Sequence, residues 1–483
     1  MAVYKHGVYV TEQATDVYTL DRQASGITLV VGTSPIREAA YPAAPNEPVL
    51  CSTYNEAVAQ LGYSTDTSKY TLCEAMEVLF GLYNVSPIVF VNVFDPATHK
   101  SVVTREQNLV TAEHTVELLG DVLVESIVVE TMTEIEDEEV WTIVPPVSKT
   151  YTLDKTVITL GDSFNMGAQV YVTYEKPNID AVTAMYVTGA VDNVSGRSTG
   201  LELVSEIYSR FGYTVGTIIA PGFSHIAEVG LKMAAKAELV NGHFSAIAIT
   251  DLDTSAAAGY AQAIGVKTSR GYESPYMITC YPAVKYGERV EHLSTHVAGI
   301  MNRLSIENDD IPYRSPSNQN IYMSGMCNFD GSSNYFGLEA ANVLNGQGIL
   351  TVTNFNGWKT WGNELSAFPT TSDPKDRWIN VRAMFNFIKS RLTTGFWSTL
   401  DVPVTRRQIE SILNSANIYL NGLTNRGALL GGRVEFNEDE NSEDGLMSGQ
   451  VNFHCYITPP SPAREINFVM QYDASYQSSV LEG

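Results

Sequence analysis

Two acidic and two hydroxyl residues, Asp251, Asp253, Thr254 and Ser255, directly follow the apolar segment 246–250. The segment has the pattern of a parallel strand, and α/β folds place ligands at the carboxyl ends of such strands. Two carboxylates and two hydroxyls could hold Mg²⁺ or Ca²⁺, so Asp251 and Asp253 are candidate residues of a nucleotide- or metal-dependent enzyme. The alternative is that Asp253 or Thr254 caps the next helix, and we favour this alternative.

Two further residue pairs have types that occur in catalytic sites. His292 and His296 have the spacing of two zinc ligands on one helix face, but Leu293 stands where a metalloprotease helix has its general base. We therefore expect surface or interface histidines. Ser224 and His225 are adjacent but lack the G-x-S-x-G pattern, which favours helix capping by Ser224. We assign no catalytic residue, metal or cofactor, and we predict that the protein is not an enzyme.

The composition excludes several classes of protein. The chain has 483 residues, enough for about three domains, and its 44% of apolar residues can bury a sizeable core. The formal net charge of −24 argues against a nucleic-acid or direct membrane partner. No apolar run approaches the length of a membrane span. Five cysteines without CxxC spacing and an N-terminus without a secretion signal predict free thiols in a cytosol.

Hydrophobic periodicity changes along the chain. Buried strands are predicted at 27–31 and 87–93, and beyond residue 189 strands alternate with amphipathic helices. This alternation predicts a parallel sheet with right-handed crossovers. Segment 101–188 instead has short, β-branched, alternating strands and contains 15 acidic but only four basic residues. We predict that it is an inserted antiparallel β domain facing outward.

The predicted fold class is α/β, with a parallel-sheet α/β core plus an α+β C-terminal domain, an inserted antiparallel β domain, and extended N- and C-terminal arms. The C-terminal domain is expected to contain helices that begin after Asp373 and Thr405, and to end in strands 450–458 and 465–473. The predicted boundaries are an N-terminal arm at 1–26, the core at 27–95 and 189–355, the inserted domain at 96–188, the C-terminal domain at 356–472 and a C-terminal arm at 473–483.

Both ends of the chain carry strand-like residues outside the predicted compact domains. An exposed strand edge is an aggregation liability unless another strand pairs with it. We expect the chain ends to pair with sheet edges of neighbouring copies, in head-to-tail contacts that generate rings or helical lattices. The candidate residues are Val8, Tyr9, Val10 and Val17 near the N-terminus, and Phe468, Val469, Tyr472 and Val480 near the C-terminus.

Several separated motifs resemble one family, the tail sheath proteins of contractile phage tails and of related R-type bacteriocins. The resemblance covers most of the chain outside 96–188, a region that varies in such families and often decorates the outer surface. The motifs are YKHGVYV at 4–10, YRSPSN at 313–318 followed by Ile321, NGWKTWGN at 356–363, and the hairpin from Gly449 through Pro459 and Pro460 to Phe468.

The resemblance implies a structural subunit that forms a homo-oligomeric helical sheath. Its implied partners are an inner tail tube protein, the baseplate and tail terminator proteins. Arms from adjacent subunits would complete the sheet of the C-terminal domain. The protein would be made in the bacterial cytoplasm and assembled into a phage tail or a released bacteriocin particle. Sheath contraction would drive the tube through a target envelope without nucleotide hydrolysis.

The charge distribution suggests where the tube would bind. Segment 370–434 has nine basic and four acidic residues in an otherwise acidic chain. Lys375, Arg382 and Lys389 are seven residues apart, hence close to one helix face, and Arg406 and Arg407 open the next helix. We hypothesise that these five residues face an acidic tube and hold it through weak ion pairs. The alternative is an ordinary solvated face.

Overall fold

The computed structural model of the chain describes residues 26–136, 138–152 and 154–480. The predicted arm residues Val8, Tyr9, Val10 and Val17 lie outside the described residues, and so does the side chain of Val480. Their roles stay predictions. The described part of the chain has a mixed α/β fold with several sheets.

The described residues form 20 strands, numbered here in chain order. The strands are β1 (Ile27–Gly32), β2 (Pro48–Cys51), β3 (Ile88–Asn92), β4 (Lys100–Leu109), β5 (Thr115–Leu119), β6 (Leu123–Ile135), β7 (Glu138–Val144), β8 (Ser148–Tyr151), β9 (Lys155–Thr159), β10 (Gln169–Pro177), β11 (Val215–Ile219), β12 (Ile247–Asp251), β13 (Met277–Cys280), β14 (Ala283–Tyr286), β15 (Arg289–Glu291), β16 (Gly325–Cys327), β17 (Ile349–Asn354), β18 (Trp358–Trp361), β19 (Gly431–Glu435) and β20 (His454–Thr458).

The same residues form twelve α-helices, together with short 3-10 turns and one π-helical turn at Glu77–Leu82. The helices are α1 (Tyr54–Leu61), α2 (Thr71–Met76), α3 (Ala184–Thr188), α4 (Ile207–Phe211), α5 (Ala227–Glu238), α6 (Tyr260–Arg270), α7 (Leu293–Glu307), α8 (Leu338–Asn345), α9 (Pro374–Arg377), α10 (Ile379–Gly395), α11 (Arg406–Asn425) and α12 (Glu443–Met447).

An eight-stranded sheet has the order β18-β17-β13-β12-β11-β1-β3-β2. All neighbours between β17 and β3 pair in parallel, and the two edge strands, β18 and β2, are antiparallel. Its strands are nearly continuous apolar runs because both faces are covered. Within β1, Val30 belongs to one buried cluster with α2 and α7, whereas Leu29 and Val31 belong to another with α5. Each such buried side chain contributes about 1.5–3 kcal/mol to the free energy of unfolding.

Residues between Lys100 and Pro177 form two antiparallel sheets, with orders β4-β10-β6-β7 and β5-β9-β8. The two sheets share one buried cluster that includes Val116, Ile158 and Val172. The alternation of apolar and polar residues in these strands therefore forms a separate sandwich core.

The C-terminal part packs α10 and α11 with the two-stranded sheet β19-β20. Met384, Ile388 and Leu420 lie in its buried cluster. The N-cap prediction at Thr405 is confirmed, since its hydroxyl accepts a hydrogen bond of 3.2 Å from the backbone N–H of Gln408. The helix expected after Asp373 is divided, because Trp378 has an extended backbone between α9 and α10.

Candidate functional site

The first acidic candidate, Asp251, faces the interior at the end of β12. Its carboxylate accepts hydrogen bonds from the hydroxyl of Ser224 (3.1 Å) and from the backbone N–H of Ser294 (2.9 Å), and it also contacts the Ser294 hydroxyl. Burial raises the pKa of Asp251. These internal donors make Asp251 a structural residue. The expected helix cap at Ser224 is wrong, because α5 begins only at Ala227.

The second acidic candidate, Asp253, is held in a turn and an ion pair. Its Oδ1 accepts a hydrogen bond of 2.9 Å from the Ser255 backbone, and its Oδ2 lies 2.9 Å from Nη2 of Arg270. Since α6 begins at Tyr260, neither Asp253 nor Thr254 caps it, and that prediction is wrong. Within the described ranges, no group of three or more His, Cys, Asp or Glu side chains could hold a metal ion.

The two histidines are inside the protein, so the expectation of surface or interface positions is wrong. His292 precedes α7 and has Nδ1 2.7 Å from Oε2 of Glu74. His296 is fully buried, with Nε2 2.9 Å from Oε2 of Glu291 and Nδ1 3.0 Å from the hydroxyl of Tyr83. Each ring therefore pairs with a buried carboxylate, that of Glu74 for His292 and that of Glu291 for His296.

The five basic candidates do not form one surface. Arg382 is 6% exposed, contacts the carboxylate of Asp376 and lies over the ring of Tyr276 at 4.5 Å. Its prediction as a tube-facing residue is therefore wrong. The seven-residue spacing failed because Lys375 lies in α9, on the other side of the break at Trp378.

The other four candidates differ in their surroundings. Lys375 pairs with Asp373 and, at 3.1 Å, with Asp376. Lys389 is exposed and donates a hydrogen bond of 2.9 Å to the hydroxyl of Ser245. Arg406 has 93% of its side chain exposed and pairs with Glu410 at 2.9 Å. Arg407 is also exposed. Only Arg406 and Arg407 are thus neighbours on one exposed helical turn, the first turn of α11.

The segment that follows the proline run is apolar and exposed. Phe468, Val469 and Met470 are 88%, 94% and 95% exposed, and Tyr472 is also exposed. The strand predicted at 465–473 is not formed in this single chain. Alternate side chains of an extended segment share a face. In an extended conformation, Ile466, Phe468, Met470 and Tyr472 would therefore form one apolar stripe that has no strand partner within the described residues.

The two-stranded sheet β19-β20, which precedes this segment in the chain, has one edge covered by a side chain. The side chain of Asn417 on α11 bonds both backbone groups of Val434 in β19, accepting from its N–H at 2.9 Å and donating to its carbonyl at 3.0 Å. On its other side β19 pairs with β20. No second described strand pairs with β20, so the outer edge of β20 is where a further strand could be added.

The motifs around 313–318 and 356–363 bind each other. The Ser317 hydroxyl accepts a hydrogen bond of 3.0 Å from the Gly362 backbone, and Asn318 donates one of 2.7 Å to the carbonyl of Thr360. The carbonyl of Asn363 accepts a bond of 3.0 Å from the backbone of Ile379, the first residue of α10. These two separated motifs therefore hold the start of α10.

Two asparagines that contact the C-terminal elements were not predicted from the sequence. Asn417 covers the edge of β19. Asn380, at the start of α10, donates hydrogen bonds to two carbonyls from other parts of the chain. Both stand within or beside the apolar stripe of a helix. A polar side chain in such a position is buried only when it is hydrogen-bonded, and that is the signal that could have identified them.

Known proteins match this chain at two levels, as one family model for its C-terminal part and as individual relatives over longer stretches. Residues 371–473 match the family model described as phage tail sheath C-terminal domain. The tail sheath protein of Burkholderia phage BcepMu is 26% identical over 98% of both chains. A putative prophage major tail sheath protein of Pseudomonas aeruginosa is 26% identical over 65% of this chain and 79% of its own length. The relatives are structural sheath proteins and not enzymes.

Solved structures share the fold at low sequence identity. A chain of the anti-feeding prophage baseplate aligns with a TM-score of 0.56 and 14% identity, over 98% of this chain and all of its own. The sheath complex of an extracellular contractile injection system in the contracted state aligns with a TM-score of 0.56 and 13% identity, over 98% and 99% of the two chains.

None of the described helices is long and apolar enough to cross a membrane. The resemblance found in the motifs is confirmed: the chain is similar to tail sheath proteins of contractile systems, and to one of them along nearly its whole length.

Proposed function

We propose that the chain is the structural subunit of a contractile tail sheath. Copies would polymerise as a helical assembly around an inner tail tube, and contraction would drive the tube through a target cell envelope. The support is the full-length similarity to a phage tail sheath protein, together with the sheath fold. The inner tube protein, the baseplate and the tail terminator are the proposed partners. Cytoplasmic synthesis and assembly into a tail or a bacteriocin particle belong to the same proposal.

The observation that carries the proposal is that the C-terminal segment has the residues of a strand but no strand partner among the described residues of its own chain. The segment has a strand-like apolar stripe, including Phe468, Met470 and Tyr472, that is exposed in the single chain. The nearby strand β20 has a strand on one side only within the described residues. Pairing the segment of one copy with a sheet edge of another would satisfy both. Because donor and acceptor surfaces differ, the contact would be heterologous and would generate rings or a helical lattice.

We also propose a radial arrangement of the domains in the subunit. We propose the core at 27–95 and 189–355, the outer domain at 96–188, the tube-facing domain at 356–472 and arms at both ends. The acidic composition of the β sandwich favours an outer position for it. Carboxylates in contact with water pay no desolvation penalty. The tube-facing assignment is favoured by Arg406 and Arg407 on the first turn of α11.

The test is imaging of the purified chain by negative-stain electron microscopy, alone and with tubes. We expect long hollow cylinders. A chain that lacks residues 465–483 should remain a folded monomer, because the removed side chains that the structure describes are mostly exposed. The matched substitutions are Phe468→Asp with Met470→Asp, compared with Val194→Asp at a position that is 97% exposed in a loop. Cylinders from the truncated chain, or none from the full chain, would refute the proposal.

A further inference from the structure

The C-terminal segment leaves the body of the protein at a buried side chain, Asn380. This residue lies in the first turn of α10 and is 3% exposed. Its Nδ2 donates two hydrogen bonds, one of 3.0 Å to the carbonyl of Tyr313 and one of 2.9 Å to the carbonyl of Pro460. Both acceptors are carbonyls, so the amide nitrogen must face them and the amide orientation is determined.

The two bonds link three parts of the chain that are far apart in sequence. Tyr313 begins the YRSPSN motif, and Pro460 belongs to the proline run that follows β20. The start of α10 is itself held, since the backbone of Ile379 donates to the carbonyl of Asn363 at 3.0 Å. Asn363 also contacts the hydroxyl of Ser315. Asn380 is thus a rigidly supported donor. It fixes one carbonyl of the linker, which we define as the proline run 459–462 between β20 and the C-terminal segment.

The linker changes character at this point. Pro459 is buried and Pro460 is half-buried, whereas the residues from Ala463 to Gln477 are exposed. Beyond Pro460, residues 462–465 and the body line a pocket of about 550 Å³ that is partly open to solvent and whose walls include Asn342, Trp361 and Arg464. The linker therefore crosses open space here instead of packing closely.

Proline restricts the direction of the chain after Pro460. Each proline has φ near −65°, so a run that contains Pro459, Pro460 and Pro462 behaves as a semi-rigid spacer. A direction fixed at the carbonyl of Pro460 is carried as far as Pro462. The apolar stripe from Ile466 onward then begins only a few residues from a fixed point.

We propose that Asn380 is the positioning residue that sets the direction in which the C-terminal segment leaves the subunit. The inference rests on the proposed sheath function only for its consequence in assembly. A segment that leaves in a fixed direction meets the neighbouring edge with little loss of conformational entropy. Without the two bonds, the linker would sample many directions, and each intersubunit contact would be weaker.

The experiment compares Asn380→Ala with Asn386→Ala in the full chain. Asn386 is a matched control, because it is a buried amide in the same helix that donates to a carbonyl at 3.1 Å, that of Ala246 in the core. The first readout is the rate of trypsin cleavage after Arg464 in the monomer at low concentration. We expect roughly tenfold faster cleavage for Asn380→Ala, about the ratio expected from losing one or two net hydrogen bonds, and an unchanged rate for Asn386→Ala.

The second readout is cylinder formation, with thermal melting as the check on folding. We expect Asn380→Ala to melt close to Asn386→Ala yet to form fewer cylinders. If Asn380→Ala does not fold, Asn380→Ser, which keeps one donor, should show intermediate cleavage. Equal cleavage rates for the Asn380 and Asn386 variants would overturn the inference. Absence of cylinders from the unmodified chain would refute the proposed function, whereas the monomer cleavage test would still decide the role of Asn380.

Discussion

His292 and Glu74 form a buried pair that joins α7 to α2. Nδ1 of His292 lies 2.7 Å from one carboxylate oxygen of Glu74, and the other oxygen accepts hydrogen bonds of 2.9 Å from the His292 backbone and from the Thr295 hydroxyl. Burial alone would raise the pKa of Glu74, but these donors lower it. The Gly222 backbone donates to Nε2 of His292 at 3.0 Å. That contact and burial favour the neutral imidazole, whereas Glu74 raises the pKa of His292.

We predict that Glu74 makes the protein sensitive to acid. Because the folded state lowers its pKa below the ordinary value of 4.5, the carboxylate contributes stability above pH 4.5. This contribution is lost as the pH falls through the folded pKa. Glu74→Gln should cost about 1–3 kcal/mol near pH 7, since the donors lose a charged acceptor, and the difference from the unmodified protein should shrink toward pH 3.

The measurement is urea unfolding at a series of pH values between 3 and 8. Asp251 changes stability in the opposite direction in this range, because burial raises its pKa. Glu74 also contributes to the raised pKa of Asp251, so the comparison of the two proteins at each pH reports the change at Glu74 together with its effect on Asp251. Glu228→Gln, at an exposed position of α5, is the control and should leave the pH dependence unchanged. A constant difference between Glu74→Gln and the unmodified protein at every pH would contradict the prediction.

The sheet could be predicted from the sequence because its physical cause is local. Segments 27–31 and 246–250 are short apolar runs, which is the pattern of strands buried on both faces. The capping interaction at Thr405 was predictable for the same reason, since donor and acceptor are three residues apart. The partners of His292 and Asp251 come from distant parts of the chain, so their spacing alone could not identify the contacts.

The basic residues of α9 and α10 and the segment 465–473 show which information a linear pattern does not contain. The spacing of Lys375, Arg382 and Lys389 describes a continuous helix, whereas the backbone at Trp378 interrupts it. Burial of Arg382 beside Asp376 and Tyr276 depends on which face of α10 meets the core. The strand predicted at 465–473 has the right composition, but a strand needs a partner, and the single chain supplies none among the described residues.

Arg37 is predicted to hold the β sandwich against the core. Its guanidinium contacts the carboxylate of Asp121, donates 3.0 Å to the carbonyl of Val122 and lies 4.4 Å from the centre of the Tyr151 ring. Arg37→Ala should lower stability by about 1–3 kcal/mol, because the half-buried carboxylate of Asp121 loses its cation and keeps only the Tyr151 hydroxyl, and the carbonyl of Val122 loses a donor. Hydrogen exchange of β5 and β8 should become faster. The control is Arg105→Ala, which removes an ion pair between Arg105 in β4 and Glu130 in β6. This variant should leave β5 and β8 protected from exchange. Equal exchange in both variants would show that Arg37 has no such role.

Asn417 is predicted to protect the edge of β19. Asn417→Ala would leave both backbone groups of Val434 without their present partners, at a cost of about 1–3 kcal/mol. It would also open a second strand edge, so light scattering should detect irregular association of the monomer. Asn414→Ala, at an exposed position of the same helix, is the matched control. If the two variants melt and scatter alike, the side chain of Asn417 does not act as an edge cover.

Arg406 and Arg407 are predicted to assist binding to an acidic tube. Both side chains are exposed at the start of α11, and exposed ion pairs contribute only about 0–1 kcal/mol each. A weak contact repeated in every copy can hold a long tube and still release during contraction. Reversal of both residues to Glu should leave melting unchanged but reduce sheath assembly around tubes, and added salt should weaken assembly of the unmodified protein.

The charge-reversal experiment needs a control for net charge. Arg433→Glu changes an exposed arginine in β19, which pairs with Glu435. It shifts the net charge as much as the single reversal Arg406→Glu or Arg407→Glu does, and it should have a smaller effect on tube-dependent assembly than either of these. Arg382 is unsuitable for this purpose, because its burial beside Asp376 means that reversal would destabilise the fold. Electron microscopy of sheath chains mixed with tubes gives the fraction of tube length that is covered. Normal coverage by the double variant at low salt would show that the first turn of α11 does not bind the tube through its charge.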